Sequence, residues 1–293
     1  MSTQLPAQEP VRTPHRIRAL IVMVAIAACG VCCAPKQATM TTLPCADEVH
    51  ANPSAARAKF SAEAAKAPDD IAPQLCIAYA AIAQHRYSEA VEAATRALTI
   101  EKGNALALRM RAFARYRLGA FNAAIEDAER SLRSATDGEA YEIIGKCHLR
   151  QGDARAAIED FRVWANLSGL VEARCWMGAA QWTAGDRAGG LKTWEAAELA
   201  APKDPEPFIW KAGFLFRGGD RGAALEAAQR AAELEPTSPQ ALGTLARVQS
   251  WSGDGAGAQA TVKRLAVTDK MAAEKLQQSL QSQPTTELET SGG

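Results

Sequence analysis

Few residues in this chain could carry chemistry, and their spacing excludes most of it. Two adjacent carboxylate pairs, Glu126-Asp127 and Glu159-Asp160, invite an acid and base reading, because carboxyl groups in unequal environments can divide those roles. The pairs stand 33 residues apart in equivalent places, which reads more simply as solvated charge on the outer face of two helices. His50, His85 and His148 stand alone, without the paired ligands that a zinc site requires, and read as helix-surface or turn residues. The sequence has no glycine-rich phosphate loop, no nucleophile elbow and no His-Glu-x-x-His run. No catalytic residue, metal, cofactor or small-molecule substrate is therefore expected.

Arginines and aromatic rings offer a different chemistry. Tyr79, Phe113, Lys146 and Arg247 share one helical phase, Tyr116, Trp182 and Phe216 a second, and Arg117, Arg150, Arg217 and Trp251 a third, with Arg109 on the same predicted helix as Phe113. Rings bury large areas and guanidinium groups fork onto carboxylates, the mixture that dominates protein interfaces. These residues are the candidate partner-binding groove. The alternative is that the rings fill seams between structural units while the arginines stay hydrated.

Such a surface needs parallel helices at a fixed interval, and the sequence provides the interval. A small residue recurs at Ala56, Ala90, Ala124, Ala157, Gly190, Ala224 and Ala258, in steps of 34, 34, 33, 33, 34 and 34 residues. A constant step of this length marks a helix-turn-helix unit stacked on copies of itself. The first unit reads as a helix from about Pro73 to Gln84, a turn at His85 and Arg86, and a second helix from Tyr87 to Ile100; the next repeats this with Leu106 to Leu118 and Phe121 to Leu132. Gly-Asp pairs at 152–153, 185–186, 219–220 and 253–254 supply a left-handed helix stop and then a cap for the following helix. Pro68, Pro202 and Pro236 punctuate the units. The ladder residue lies one turn into each second helix, where a missing side chain lets two backbones approach. Leu75, Ile77, Ile143, Ile144, Met177, Ile209, Leu242 and Leu245, with Phe60, Phe161 and Trp194, supply the interlocking apolar surface.

These features resemble the tetratricopeptide repeat over about residues 51–270. The third unit carries the family pattern best, with Tyr141, Ile144, Gly145, Ala157 and Phe161, and Pro202 and Pro236 close the fourth and fifth units. Trp164 and Gly190 depart from the pattern, and local distortion is expected there. The resemblance implies an all-α, right-handed α-solenoid of about six repeats, with a groove lined by first helices. The units fall at 71–104, 105–137, 138–170, 171–204, 205–238 and 239–270, with capping helices at 51–70 and 271–281 and a disordered tail at 282–293. The subclass that clamps chaperone C-termini uses lysines and asparagines where this chain has Leu75, Tyr79, Met110, Glu139 and Ile143, so it is set aside.

The N-terminus makes a second statement. Arg12, His15, Arg16 and Arg18 precede an apolar run from Ala19 to Ala28, and Ile26-Ala27-Ala28-Cys29 resembles a bacterial lipoprotein signal. That resemblance implies removal of residues 1–28 and lipidation of Cys29, by palmitate or similar chains, with Gly30 pointing to the outer rather than the inner membrane. An uncleaved anchor is a rival, although the run is short for a span of about 20 residues. Ordinary signal-peptidase cleavage is another, since Ala25 and Ala27 also fit. Residues 29–50 read as the lipidated cysteine and a flexible tether.

Charge and cysteine usage complete the bounds. The chain has 33 basic and 33 acidic side chains, and loss of the signal, with three arginines and one glutamate, leaves a net charge near −2. Nucleic acid is thus excluded as a partner. Cys147 and Cys175 fall on neighbouring first helices at heights differing by about 7.5 Å, which strains a disulfide, so they read as buried free thiols; the sequence leaves open whether any cysteine pair is bonded. The expected function is a periplasm-facing envelope lipoprotein that scaffolds or assembles another protein, held in the groove. Lipoproteins that guide type IV pilus secretins share this plan, and a glycan-binding or enzyme-accessory module is the competing class.

Overall fold

The computed structural model describes residues 43–134 and 136–282. Cys29, the apolar N-terminal run, most of the expected tether and the tail beyond Ser282 lie outside the described residues. Among the described residues every regular element is helical.

The chain enters through α1 (Ala46–Ala51) and α2 (Pro53–Lys66) and then forms six hairpins. They are α3 (Ile71–Ala83) with α4 (Tyr87–Ile100), α5 (Ala105–Arg117) with α6 (Phe121–Leu132), and α7 (Gly138–Arg150) with α8 (Ala154–Ser168). There follow α9 (Val171–Thr183) with α10 (Arg187–Ala200), α11 (Glu206–Arg217) with α12 (Arg221–Leu234), and α13 (Pro239–Trp251) with α14 (Gly255–Thr268). A final helix, α15 (Lys270–Ser282), packs on α14 and α13. Each helix touches chiefly its sequence neighbours, and first helices also touch first helices of adjacent hairpins, so the expected all-α solenoid is present.

α1 corrects the reading of residues 46–50 as tether. Cys45, Ala46 and Val49 are buried, and Cys45 is disulfide-bonded to Cys76 on α3 across a Cα–Cα distance of 6.0 Å. Lys59 of α2 holds Glu48, and His50 meets the Tyr79 hydroxyl at 2.7 Å. One helical turn with a single apolar face is too short for periodicity to reveal.

The turns obey backbone chemistry. Gly119, Gly152, Gly185, Gly219 and Gly253 hold positive φ between paired helices, and His85, at φ 57°, fills the equivalent place in the first hairpin. Asp153, Asp186, Asp220 and Asp254 each accept a hydrogen bond from the backbone N–H three residues on, capping the second helix.

All seven ladder residues are buried. A Cβ on Gly190 would lie 2.8 Å from the Gly178 carbonyl oxygen, so α9 and α10 approach more closely there than alanine permits. The distortion expected near Trp164 and Gly190 is absent, because α8 and α10 run unbroken. Glycines on the first helices absorb the large rings instead: Gly138 faces Trp164, Gly145 faces Phe161, and Gly178 faces Trp194. Trp194 is fully buried, and its indole N–H donates to the Cys175 carbonyl at 3.1 Å.

A second ladder lies one turn beyond the first. Arg115 donates to Asp127, His148 pairs with Asp160, and Thr193 and Thr261 donate to Gln181 and Gln249, each clasp joining residues 12 apart across a hairpin. Leu215 with Ala227 and Ala81 with Ala93 occupy the same places in apolar form. Reading Asp127 and Asp160 as outer-face charge is thereby corrected: only Glu126 and Glu159 are exposed, while Asp127 is 1% exposed and is also gripped by Arg111 through two 2.7 Å hydrogen bonds. His148 likewise is half-buried rather than a surface residue.

Gly178→Ala would place its methyl 2.6 Å from the Trp194 indole nitrogen. It should lower stability by about 1–3 kcal/mol in urea unfolding, and Trp194→Leu in the same chain should recover part of that loss.

Candidate functional site

The first helices α9, α11 and α13 lie side by side, and so do α3, α5 and α7. Their shared face holds the candidate groove residues, which the structure sorts into three kinds.

Tyr79 and Arg109 do not line an open surface, a correction to the expected groove. Tyr79 is buried and bonded to His50, and burial raises its phenol above the ordinary range. Arg109 is 2% exposed and ion-paired with Asp137 and with Glu139 at 3.2 Å. A buried arginine flanked by carboxylates from the next hairpin is a bolt between units rather than a donor for a partner.

Other residues fill seams between units. Phe113 stands edge-on to Tyr87 at 6.3 Å, Tyr116 lies 6.1 Å from Phe121, and Trp182 sits 6.0 Å from both Trp194 and Phe214. Arg117 and Arg150 are exposed, resting over Tyr87 at 4.8 Å and over Phe121 at 5.6 Å. Lys146 is held by Glu142 at 2.6 Å and lies 4.7 Å over the Trp176 ring.

Only Phe216, Arg217, Arg247 and Trp251 come together around one opening. They line a groove of about 240 Å³ between α11 and α13, with Ile209, Trp210, Gly213, Phe214, Thr244 and Val248 completing its walls. Phe216 and Trp251 lie 4.9 Å apart, Trp210 stacks on Phe214 at 6.2 Å with an interplanar angle of 11°, and the Arg217 guanidinium sits 4.1 Å over Phe214. Trp210 and Phe214 were missed in the sequence, although they stand one turn apart on one helical stripe. Ile209, expected as packing between units, is half-buried in the groove wall.

The electrostatics along α11 are uneven. Arg217 and Arg247 have their guanidinium pKa lowered by burial, and among the described residues neither forms an ion pair; Arg247 donates only a long 3.4 Å hydrogen bond to Thr244. At the other end of the helix, the Trp210 indole donates to Glu206 and the Trp176 indole to Glu172, each at 3.2 Å. Burial holds the Glu206 carboxyl above its usual range, with Trp210 opposing the shift and Glu172 adding to it.

Cys147 and Cys175 are buried free thiols, and burial pushes the Cys147 thiol up to about 12, where almost no thiolate exists at neutral pH. Among the described residues no group of His, Cys, Asp or Glu could hold a metal ion, and no helix is long and apolar enough to cross a membrane. The groove can bind by ring burial and charge-assisted hydrogen bonds.

Asp137→Ala removes one of the carboxylates that neutralise Arg109 and should lower stability by about 3 kcal/mol or more, measured by chemical unfolding. Because Glu206 has a raised folded-state pKa, its contribution to stability is full below about pH 4 and is lost as pH rises. Glu206→Gln should therefore melt above the wild type at pH 7, and the difference should close below about pH 4.

Residues 215–283 match the tetratricopeptide repeat family. No curated protein matches the sequence. Among solved structures, a tetratricopeptide repeat protein from Parabacteroides merdae aligns with a TM-score of 0.64 at 16% identity, covering 80% of this chain and 97% of that one. Yeast Tom70 aligns with a TM-score of 0.56 at 15% identity over 82% of this chain and 60% of that one. The C-terminal part of a repeat-containing protein from Cytophaga hutchinsonii aligns with a TM-score of 0.52 at 15% identity, over 78% and 95%. At these identities the likeness is one of fold. The family match is thus confined to residues 215–283, and the described residues as a whole share the helical-repeat fold of these structures.

Proposed function

We propose that this protein is a non-catalytic scaffold of the bacterial cell envelope that holds a segment of another protein against its first-helix face. The observation that carries the reading is the groove between α11 and α13. Two aromatic pairs and two guanidinium groups converge there with no acid from the described residues to satisfy them. Rings and arginines of this kind are anchors at protein interfaces.

The compartment is inferred from two independent features. The stretch before Cys29 has the form of a lipoprotein signal, so Cys29 is the proposed lipid anchor at a periplasm-facing membrane, the outer in preference to the inner. The Cys45–Cys76 disulfide supports export, because such bonds persist in oxidising compartments and are rare in the cytosol. Membrane attachment through several acyl chains would leave the solenoid free to reach a partner in an envelope complex.

Two measurements test the parts separately. A photoreactive residue replacing Trp251 in the full chain should crosslink in cells to a defined protein, with the adduct lost in Arg217→Glu/Arg247→Glu; an identical adduct from a probe at exposed Glu226 would refute the groove. Radiolabelled palmitate should enter the wild type and not Cys29→Ser, and equal labelling of both would remove the anchor.

A further inference from the structure

Gly213 stands in the interior of α11, where glycine is worth about 1 kcal/mol less than alanine to a helix. The glycines that face packed neighbours have a steric reason: a Cβ would collide with Phe161 at Gly145, with Trp194 at Gly178 and with a backbone carbonyl at Gly190. Gly213 has none. A Cβ there meets nothing within 4 Å, and the residue lines the groove between α11 and α13. Its missing side chain leaves the α11 backbone open to whatever enters.

The groove also states the chemistry of its occupant. The Arg247 guanidinium lies back over Gly243 on one wall, and Arg217 lies over Phe214 on the other. Phe216 and Trp251 form an apolar contact between the two helices. Two guanidinium groups beside half-buried rings, with no ion-pair partner among the described residues, complement a carboxylate flanked by an apolar side chain. A nucleic acid fits poorly. Its evenly spaced phosphates would run along α11 onto Glu206 and Glu172, which Trp210 and Trp176 hold at the far end of the same face.

We propose that the α11–α13 groove binds an extended acidic protein segment, with one or two carboxylates forked by Arg217 and Arg247 and a neighbouring aromatic or aliphatic side chain seated over Gly213 against Phe216 and Trp251. This rests on the groove being the partner-binding surface and adds what the partner must present there.

The test uses the full chain and three short fluorescein-labelled peptides that share a central phenylalanine and differ only in its flanking residues: glutamates, glutamines or lysines. Fluorescence polarisation should show the glutamate peptide binding at least about tenfold more tightly than the glutamine peptide, as expected for charge-assisted hydrogen bonds, and the lysine peptide not binding. Arg217→Gln/Arg247→Gln should erase that preference, and raised salt should weaken it. Gly213→Met should abolish binding of the glutamate peptide while melting at or above the wild-type temperature, which separates a blocked groove from a failed fold. Equal binding of all three peptides, lost in Gly213→Met, would overturn the carboxylate assignment and leave the groove as a binding surface. Absence of any peptide binding would overturn both. Self-association in sedimentation velocity that Gly213→Met abolishes would make the occupant a second copy and overturn the acidic segment.

Discussion

How closely two helices may approach governs this molecule. Each hairpin closes where a second helix, one turn from its start, presents alanine or glycine to the first, and at Gly190 the distance is set by a carbonyl oxygen of α9 rather than by any side chain. Once backbones lie that near, the rings of the second helices must find space elsewhere, and they find it over Gly138, Gly145 and Gly178. Close packing of this kind tolerates neither a void nor an added methyl. The hairpins therefore stack at a constant interval, and the first helices are left side by side with one face in common. The groove between α11 and α13 is a product of that interval.

The architecture was legible because its signals repeat. Ala56 through Ala258 recur at one spacing, and Gly-Asp pairs mark successive turns with residues whose backbone and capping preferences are strong. What could not be read was partnership. Asp127 resembles any surface aspartate until α5 is laid across α6, when Arg111 and Arg115 arrive from one side of the hairpin. Arg109 and Tyr79 carry the residue types of an interface, yet Asp137 and His50, from neighbouring units, claim them. Helical phase names the face a residue occupies and says nothing of how deep that face lies between hairpins. Trp210 and Phe214 were overlooked for the converse reason, since a stripe of rings at helical spacing is equally the signature of packing. α1 escaped notice because its one apolar turn is anchored by the Cys45–Cys76 bond as much as by burial.

Charge is treated in two ways within one fold. Buried charge is paired, by Asp137 and Glu139 around Arg109 between hairpins and by Arg111 and Arg115 around Asp127 within one. Such buried pairs contribute little net stability but make the loss of either member costly. Along the groove, no described carboxylate balances exposed Arg217 or half-buried Arg247. Arg117 and Arg150 also rest on rings, but Arg217 and Arg247 share one groove with Phe216 and Trp251.

The clasps 12 residues apart have a bearing on how the chain assembles. Arrays of similar units are prone to pair a helix with the wrong neighbour during folding. If a first helix here took the second helix of the following unit, Gln181 would oppose Ala227 and Leu215 would oppose Thr261, each burying a polar group without its complement. Arg115, by contrast, would meet Asp160 in the same slip, so the mismatch falls on the amide and methyl positions of the fourth to sixth hairpins. The varied clasps thus place an energetic cost on a frame slip at those hairpins, where an amide would face a methyl group.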